Sequence, residues 1–227
     1  MIKIENTEVF GWEAAIRGMR NPMNSWDKSD SYWDFPEHPD RFVVGENDLK
    51  LMKNLSKAGD DHGKYLRMIN VTVDITSPLY WYKEFDTYKI GTVANSCSTM
   101  HKIHAKEFTL EDFSTEHLYP VAIDNLKNTI KLLNECREIF VNYDRVRETN
   151  EYLTENMWFG VGDKKDYWWQ MIQLLPSSYN QKRTIQLNYQ VLKTIYHSRK
   201  NHKLDEWKAF CEWCEGLPYF TELCIEE

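Results

Sequence analysis

The stretch "MINVTVDIT", residues 68–76, constrains this chain more than any other. Ile69, Val71, Val73 and Ile75 occupy every second position, with Asn70, Thr72 and Asp74 between them. Only an extended strand sends alternate side chains to one face, so the pattern predicts a strand with one buried side. Pro78 follows and ends it. Downstream, "VAIDNLKNTIKLLNECREIFVNYDRVRETN", residues 121–150, places Leu126, Ile130, Leu133 and Ile139 or Phe140 on one stripe. That spacing predicts a long amphipathic helix. A strand and a helix of this quality in one chain exclude an all-helical or all-sheet protein.

The remaining segments fill in an α+β order. "IKIENTEVFGWEAAIRGM", residues 2–19, reads as a strand running into a helix. The acid-rich "SWDKSDSYWDFPEHPDRFVVGEND", residues 25–48, reads as loop. In "ENDLKLMKNLSKAG", Leu49, Met52 and Leu55 recur at helical spacing and Gly59 stops the helix. "TLEDFSTEHLYP" suggests a loop with one helical turn, and "WFGVGDKKDYWWQMIQLLP" a glycine loop entering a helix that ends at Pro176. "TIQLNYQVLKTIYHSRKN" predicts a helix near 185–200, and "KLDEWKAFCEWCEGLP" another. No repeat or linker interrupts the 227 residues, which suits one domain spanning 1–227.

Charge and composition narrow the function classes. A net charge of -7 argues against non-specific nucleic-acid binding. Nine Trp and thirteen Tyr exceed what a minimal core needs and suit binding sites and subunit interfaces. The N-terminal stretch has no signal-like apolar core, and no run approaches the length of a membrane span. Five cysteines, an odd number, suggest reduced thiols and a cytoplasmic protein.

Two motifs carry metal-like or redox-like spacing. "CEWC", Cys211 to Cys214, lies inside an amphipathic helical pattern rather than between a strand and a helix, and reads as helix. "HKIH", His101 to His104, lacks an acidic or Cys partner at a helical offset, so no metal is expected there. "GVGD", residues 160–163, lacks the rest of a nucleotide-binding fingerprint. Asn188, Leu192, Ile195 and Arg199 fall on one helical face, an apolar stripe bracketed by an amide and a guanidinium. Arg199 there either faces something buried or extends to solvent, pairing with Asp205 or Glu206.

Four segments together resemble the flavin-dependent thymidylate synthases. "GDDHGKYLRMINVTVDI" is similar to that family's Gly-His segment entering a strand, with His62 and Gly63 at the matching positions. "SPLYWYKEFDTYKIGTVANSCSTMH" resembles the signature Arg-His-Arg-x-x-Ser-x-Asn-Glu-x-Ser-x-Arg-Tyr. Thr87, Tyr88 and Lys89 stand at Arg-His-Arg, and Thr92 at the first Ser. With one residue inserted near Ala94, Asn95 matches Asn and Ser98 the second Ser, while Ser96, Met100 and His101 replace Glu, Arg and Tyr. "LLP", residues 174–176, and "LNYQVLKTIYHSRKNHKLDEW" supply the last two segments.

The resemblance implies a central antiparallel sheet containing residues 69–76, wrapped by helices near 121–143 and 185–200. It implies FAD lined by His62, Thr87, Tyr88, Lys89, Asn95, Asn188, Gln190 and Thr194. It also implies a pyrimidine nucleotide, dUMP or a relative, contacted by Glu84, Ser98 and Arg199, the last two acting in catalysis. The implied reaction moves a one-carbon unit from methylenetetrahydrofolate, with NADPH recharging the flavin, in a homotetramer. Met100 and Ile172 stand where phosphate-binding arginines are expected, so Arg17, Arg20 or Lys89 would have to compensate. The alternative is a non-catalytic relative, of phage origin in one form of this reading, that binds a nucleotide, a nucleoside or nothing.

Overall fold

The structure is a computed structural model, and it describes residues 2–149 and 162–226. It mixes helices with a central antiparallel sheet, as the resemblance implies. Its four strands are β1 (Lys3–Phe10), β4 (Asn70–Pro78), β5 (Val93–Ser96) and β6 (Asn180–Asn188), in the order β1-β4-β6-β5. A separate hairpin pairs β2 (Tyr32–Asp34) with β3 (His38–Val43). The chain divides into two compact units, one of residues 76–84 and 96–182, the other of 2–75, 85–95 and 183–227.

The second unit opens with β1 and α1 (Trp12–Arg20). Gly11 joins them at φ 95°, and a Cβ there would stand 2.2 Å from the Met68 carbonyl oxygen, so only glycine fits. Next come α2 (Glu46–Lys57) and a 3-10 turn (Gly63–Arg67). Along β4 the side chains alternate as its sequence demands, and Ile69, Val71, Val73 and Ile75 are all buried. The unit closes with α7 (Tyr189–Arg199) and α8 (Asp205–Glu215). Its core is aromatic: Trp12 meets Tyr189 edge-on at 5.5 Å, and Phe85, Trp207 and Phe210 form a buried cluster. Each such ring contributes on the order of 1.5–3 kcal/mol by leaving water.

A buried ion pair fixes the loop after α1. Arg20 Nε donates to Asp48 Oδ1 at 2.6 Å, and its other nitrogens donate to the carbonyls of Ser25 and Lys28. Asp48 Oδ2 accepts from the hydroxyls of Ser29 and Ser31 and from the amides of Asp30 and Ser31. With Asp48 fully buried, its charge survives only because these donors replace water.

The first unit is built on α4 (Pro120–Val141), packed along α6 (Lys164–Leu174), with α3 (Leu79–Phe85) and α5 (Tyr143–Thr149). Leu126, Ile130, Leu133 and Cys136 of α4 bury against Met171, Phe108 and Phe113. Asp163 and Asp166 form a capping box that starts α6.

Three expectations need correction. Residues 25–48 are not all loop, since Tyr32–Asp34 and His38–Val43 pair as a hairpin despite their charge. The long helix is broken, because Asn142 leaves the helical conformation between α4 and α5. Residues 184–188 are strand rather than helix, so Asn188 ends β6 and caps α7 instead of lying within it. After Pro78 the chain forms α3 and then a 3-10 turn (Asp86–Tyr88). "WFGVG" lies outside the described residues except for Gly162.

Candidate functional site

Helix α7 organises the residues expected at the flavin and pyrimidine. Asn188 is its N-cap, in extended conformation, and its Oδ1 accepts the Val191 amide at 3.1 Å. That bond satisfies one of the helix's orphan donors, so the side chain has a structural duty of its own. The Asn188 amide nitrogen faces Gly91, where a Cβ would come within 3.3 Å of it. Gln190 Nε2 donates to Asp60 Oδ1 at 3.1 Å, two residues before His62. Gln190 Oε1 is buried without a hydrogen-bond partner. Thr194 spends its hydroxyl on the Gln190 carbonyl at 3.0 Å.

At the other end of α7, Arg199 is half-buried and held on aromatic faces. Its Nε donates to the Tyr88 hydroxyl at 2.9 Å, and its guanidinium carbon lies 5.0 Å from the Trp207 ring and 5.6 Å from the Tyr88 ring. Trp207 is wholly buried, stacked on Phe85 at 6.4 Å. The platform fixes a planar cation at a helix C-terminus, where the helix dipole also favours positive charge. Of the two alternatives read from the sequence, the guanidinium set against something buried is the one this geometry matches. Thr87 and Lys89 flank Tyr88 and are exposed, as is Asn95 on β5.

His62 precedes the Gly63–Arg67 turn and is exposed. It borders an apolar cavity of about 580 Å³ with Met19, Met23, Tyr65 and Met68.

Ser98 and Glu84 belong to the first unit. Glu84 is half-buried on α3. Ser98 lines a cavity of about 470 Å³ with Lys102, Lys106, Lys182, Glu111 and Asp112. Its Oγ accepts the amides of Met100 (3.2 Å) and His101 (3.0 Å), which leaves the hydroxyl proton to donate. Lys106 pairs with Asp112, and that hydrogen bond pushes its pKa above the usual lysine value. The three lysines escaped sequence reasoning because they come from two distant segments. Arg20, expected to compensate for lost arginines, is consumed by Asp48.

The Cys211–Cys214 motif lies in a buried helix, and the His101–His104 motif in a turn. Cys211 and Cys214 are buried in α8, and burial pushes the Cys211 thiol up to about 11 and raises that of Cys214 well above the usual thiol value. Such thiols stay protonated and inert. His104 packs its ring on Phe140 at 4.8 Å. Among the described residues no group of three or more His, Cys, Asp or Glu could hold a metal ion.

Neither protein-family models nor curated proteins match the sequence. Solved structures do. Thymidylate synthase X from Helicobacter pylori with FAD and dUMP superposes with a TM-score of 0.62 at 13% identity, covering 99% of this chain and 98% of that one. A second flavin-dependent thymidylate synthase structure from Helicobacter pylori, complexed with FAD and dUMP, gives 0.61 at 14% identity, covering 98% of each chain. A UMP/dUMP methylase, PolB, from Streptomyces cacaoi bound with 5-Br dUMP gives 0.53 at 11%, covering 98% and 91%. The likeness runs end to end and establishes the fold.

Proposed function

We propose that this chain is a divergent flavin-dependent thymidylate synthase-like protein, one domain over 1–227, that binds FAD and a pyrimidine nucleotide. The observation that supports this reading is the Arg199–Tyr88 hydrogen bond, because it joins a residue expected at the pyrimidine to one expected at the flavin, from separate segments. The solved structures of like fold supply the ligand classes, FAD and dUMP in two cases and 5-Br dUMP in the third.

The α7 start fits a flavin. Gln190 Oε1 is a buried acceptor lacking a donor, and FAD carries both ring N–H and ribityl hydroxyl donors. Gln190, Thr194, Asn188, Tyr88, Thr87, Lys89, Asn95 and His62 would hold it. When bound and reduced, FAD supplies a hydride to the pyrimidine. Arg199 polarises a pyrimidine oxygen as charge develops, its planar fork held in place by Trp207. Ser98 donates its hydroxyl proton to the nucleotide, with Lys102 and Lys182 supplying the positive charge that Met100 and Ile172 do not. Glu84 contacts the nucleotide through a carboxylate, which selects a ligand edge bearing N–H. The one-carbon donor in this reading is methylenetetrahydrofolate, NADPH recharges the flavin, and the working form is a cytoplasmic homotetramer.

A second reading, nucleotide binding without turnover, is favoured by Asn188, whose side chain is engaged as a helix cap. The purified protein decides between them. Bound FAD seen by its yellow absorbance, dUMP binding by calorimetry and thymidylate formation together support the enzyme. Binding of dUMP without flavin supports the second reading, and binding of neither removes both.

A further inference from the structure

Beside α1 lies a cavity of about 300 Å³ that the flavin and nucleotide reading does not use. Trp26, Tyr32, Trp33 and Phe42 wall it. Three of these rings stand well out of the core, with exposures of 50% for Trp26, 56% for Tyr32 and 43% for Trp33. Apolar groups scattered singly over a surface need no explanation, but rings gathered at one cavity mark a place where something binds. The walls are held in place. Trp33 meets Phe42 edge-on at 5.2 Å with the ring planes 75° apart, so the two stand as adjoining walls. Trp26 Nε1 donates to Asn21 Oδ1 at 2.8 Å, and the loop that follows is fixed where the Ser29 and Ser31 hydroxyls donate to Asp48.

Helix α1 sets the charge of the cavity. Glu13, Arg17 and Arg20 line it at helical spacing, with Ile16 among them. Arg20 brings no free charge, because it is paired with the buried Asp48. Glu13 and Arg17 are both exposed, one turn apart and of opposite sign. The lining therefore offers aromatic faces, one carboxylate and one guanidinium.

We infer that this cavity binds a small zwitterion, a quaternary ammonium with an anionic group a few bonds away, as in betaines and the choline phosphate group. A trimethylammonium spreads its charge over methyl groups, so aromatic faces hold it by cation–π attraction. A primary ammonium stays strongly hydrated and carries three hydrogen-bond donors, which ring faces leave unmatched. Glu13 adds a charge of the right sign beside the rings, and Arg17 takes the anionic group through its planar fork. A simple cation would be repelled by Arg17 and a simple anion by Glu13, whereas a ligand carrying both charges meets a partner for each. Two sources offer this chemistry, a free betaine and the head group of a choline lipid.

Calorimetric titration of the full chain with glycine betaine, glycine and tetramethylammonium tests this. Betaine is expected to bind saturably. Glycine has the same charges without the methyl groups, and tetramethylammonium the methyl groups without the carboxylate. Each should bind at least about tenfold more weakly. Trp33→Ala should weaken betaine by about tenfold. Arg17→Gln should weaken betaine without weakening tetramethylammonium. Far-UV circular dichroism should stay unchanged in both variants, because both side chains are exposed. Cosedimentation with phosphatidylcholine but not phosphatidylglycerol vesicles assigns the lipid source, and its absence beside bound betaine assigns the free one. Equal binding of betaine and glycine overturns the inference, as does binding of neither betaine nor phosphatidylcholine. So does a betaine affinity that Trp33→Ala and Arg17→Gln leave untouched. A concentration-dependent mass in light scattering that Trp33→Ala lowers also overturns it, assigning the rings to a second copy of the chain. The dUMP and FAD titrations read a different site, so they succeed or fail independently.

Discussion

The Arg199 guanidinium and the Tyr88 hydroxyl, 111 residues apart in sequence, meet in a hydrogen bond of 2.9 Å above the Trp207 ring. Two consequences separate binding from folding. Arg199→Ala removes a charge-assisted interaction, so dUMP binding or turnover should weaken by about 2 kcal/mol or more with the fold intact. Tyr88→Phe keeps the aromatic contact and loses only the hydroxyl, a change of about 1 kcal/mol. Calorimetry on both variants checks this, and an Arg199→Ala protein that unfolds instead would make the residue structural.

Around Ser98 the charge should be read by the phosphate alone. Lys102→Ala and Lys182→Ala are expected to lower affinity for dUMP while leaving affinity for deoxyuridine nearly unchanged. Raising the salt concentration should weaken dUMP binding in the parent more than in the variants, since exposed charges are screened. Equal losses for nucleotide and nucleoside would refute the phosphate role.

Asn188 should prove to be a cap first. Asn188→Ala leaves the Val191 amide without its acceptor and should cost about 1 kcal/mol of stability, whereas Asn188→Asp retains the cap. In a chain of this size that is a fall in Tm of about 2–4 °C for the alanine variant. Thermal melts of the two variants, with and without FAD, distinguish the cap from a flavin contact.

Acid should find Asp48. Burial raises its pKa, but hydrogen bonds from Ser29, Ser31 and Arg20, with the Arg20 charge, outweigh burial and hold it below the usual carboxylate value. A depressed folded-state pKa contributes stability above the unfolded value, about 3.9, and loses it as pH falls toward the folded value. Urea midpoints should therefore drop below about pH 4. The double variant Arg20→Met with Asp48→Leu should show a shallower acid limb, because the pair is removed together rather than broken.

How legible all this was depends on the range of the interactions involved. β4 could be read because alternation is local and each of Ile69, Val71, Val73 and Ile75 meets the same face. The start of α7 could not, because Ile185, Leu187 and Tyr189 alternate while Leu192, Ile195 and Tyr196 follow the helical repeat. The period changes at Asn188, a strand end that also caps. The β2–β3 hairpin is held by pairing across its own turn, which charge and proline obscure. The Trp207 platform and the three lysines are long-range assemblies with no sequence spacing to betray them.

The Arg20–Asp48 pair also sets how the loop between α1 and β2 moves. Its amides at Asp30 and Ser31 end on a wholly buried carboxylate, so neither can open to solvent unless α2 gives up Asp48. In hydrogen–deuterium exchange these two surface-loop amides belong with the slow population of the core rather than with the loop's fast one. The segment that carries Trp26 is thus a part of the cooperative unit and not a flap upon it.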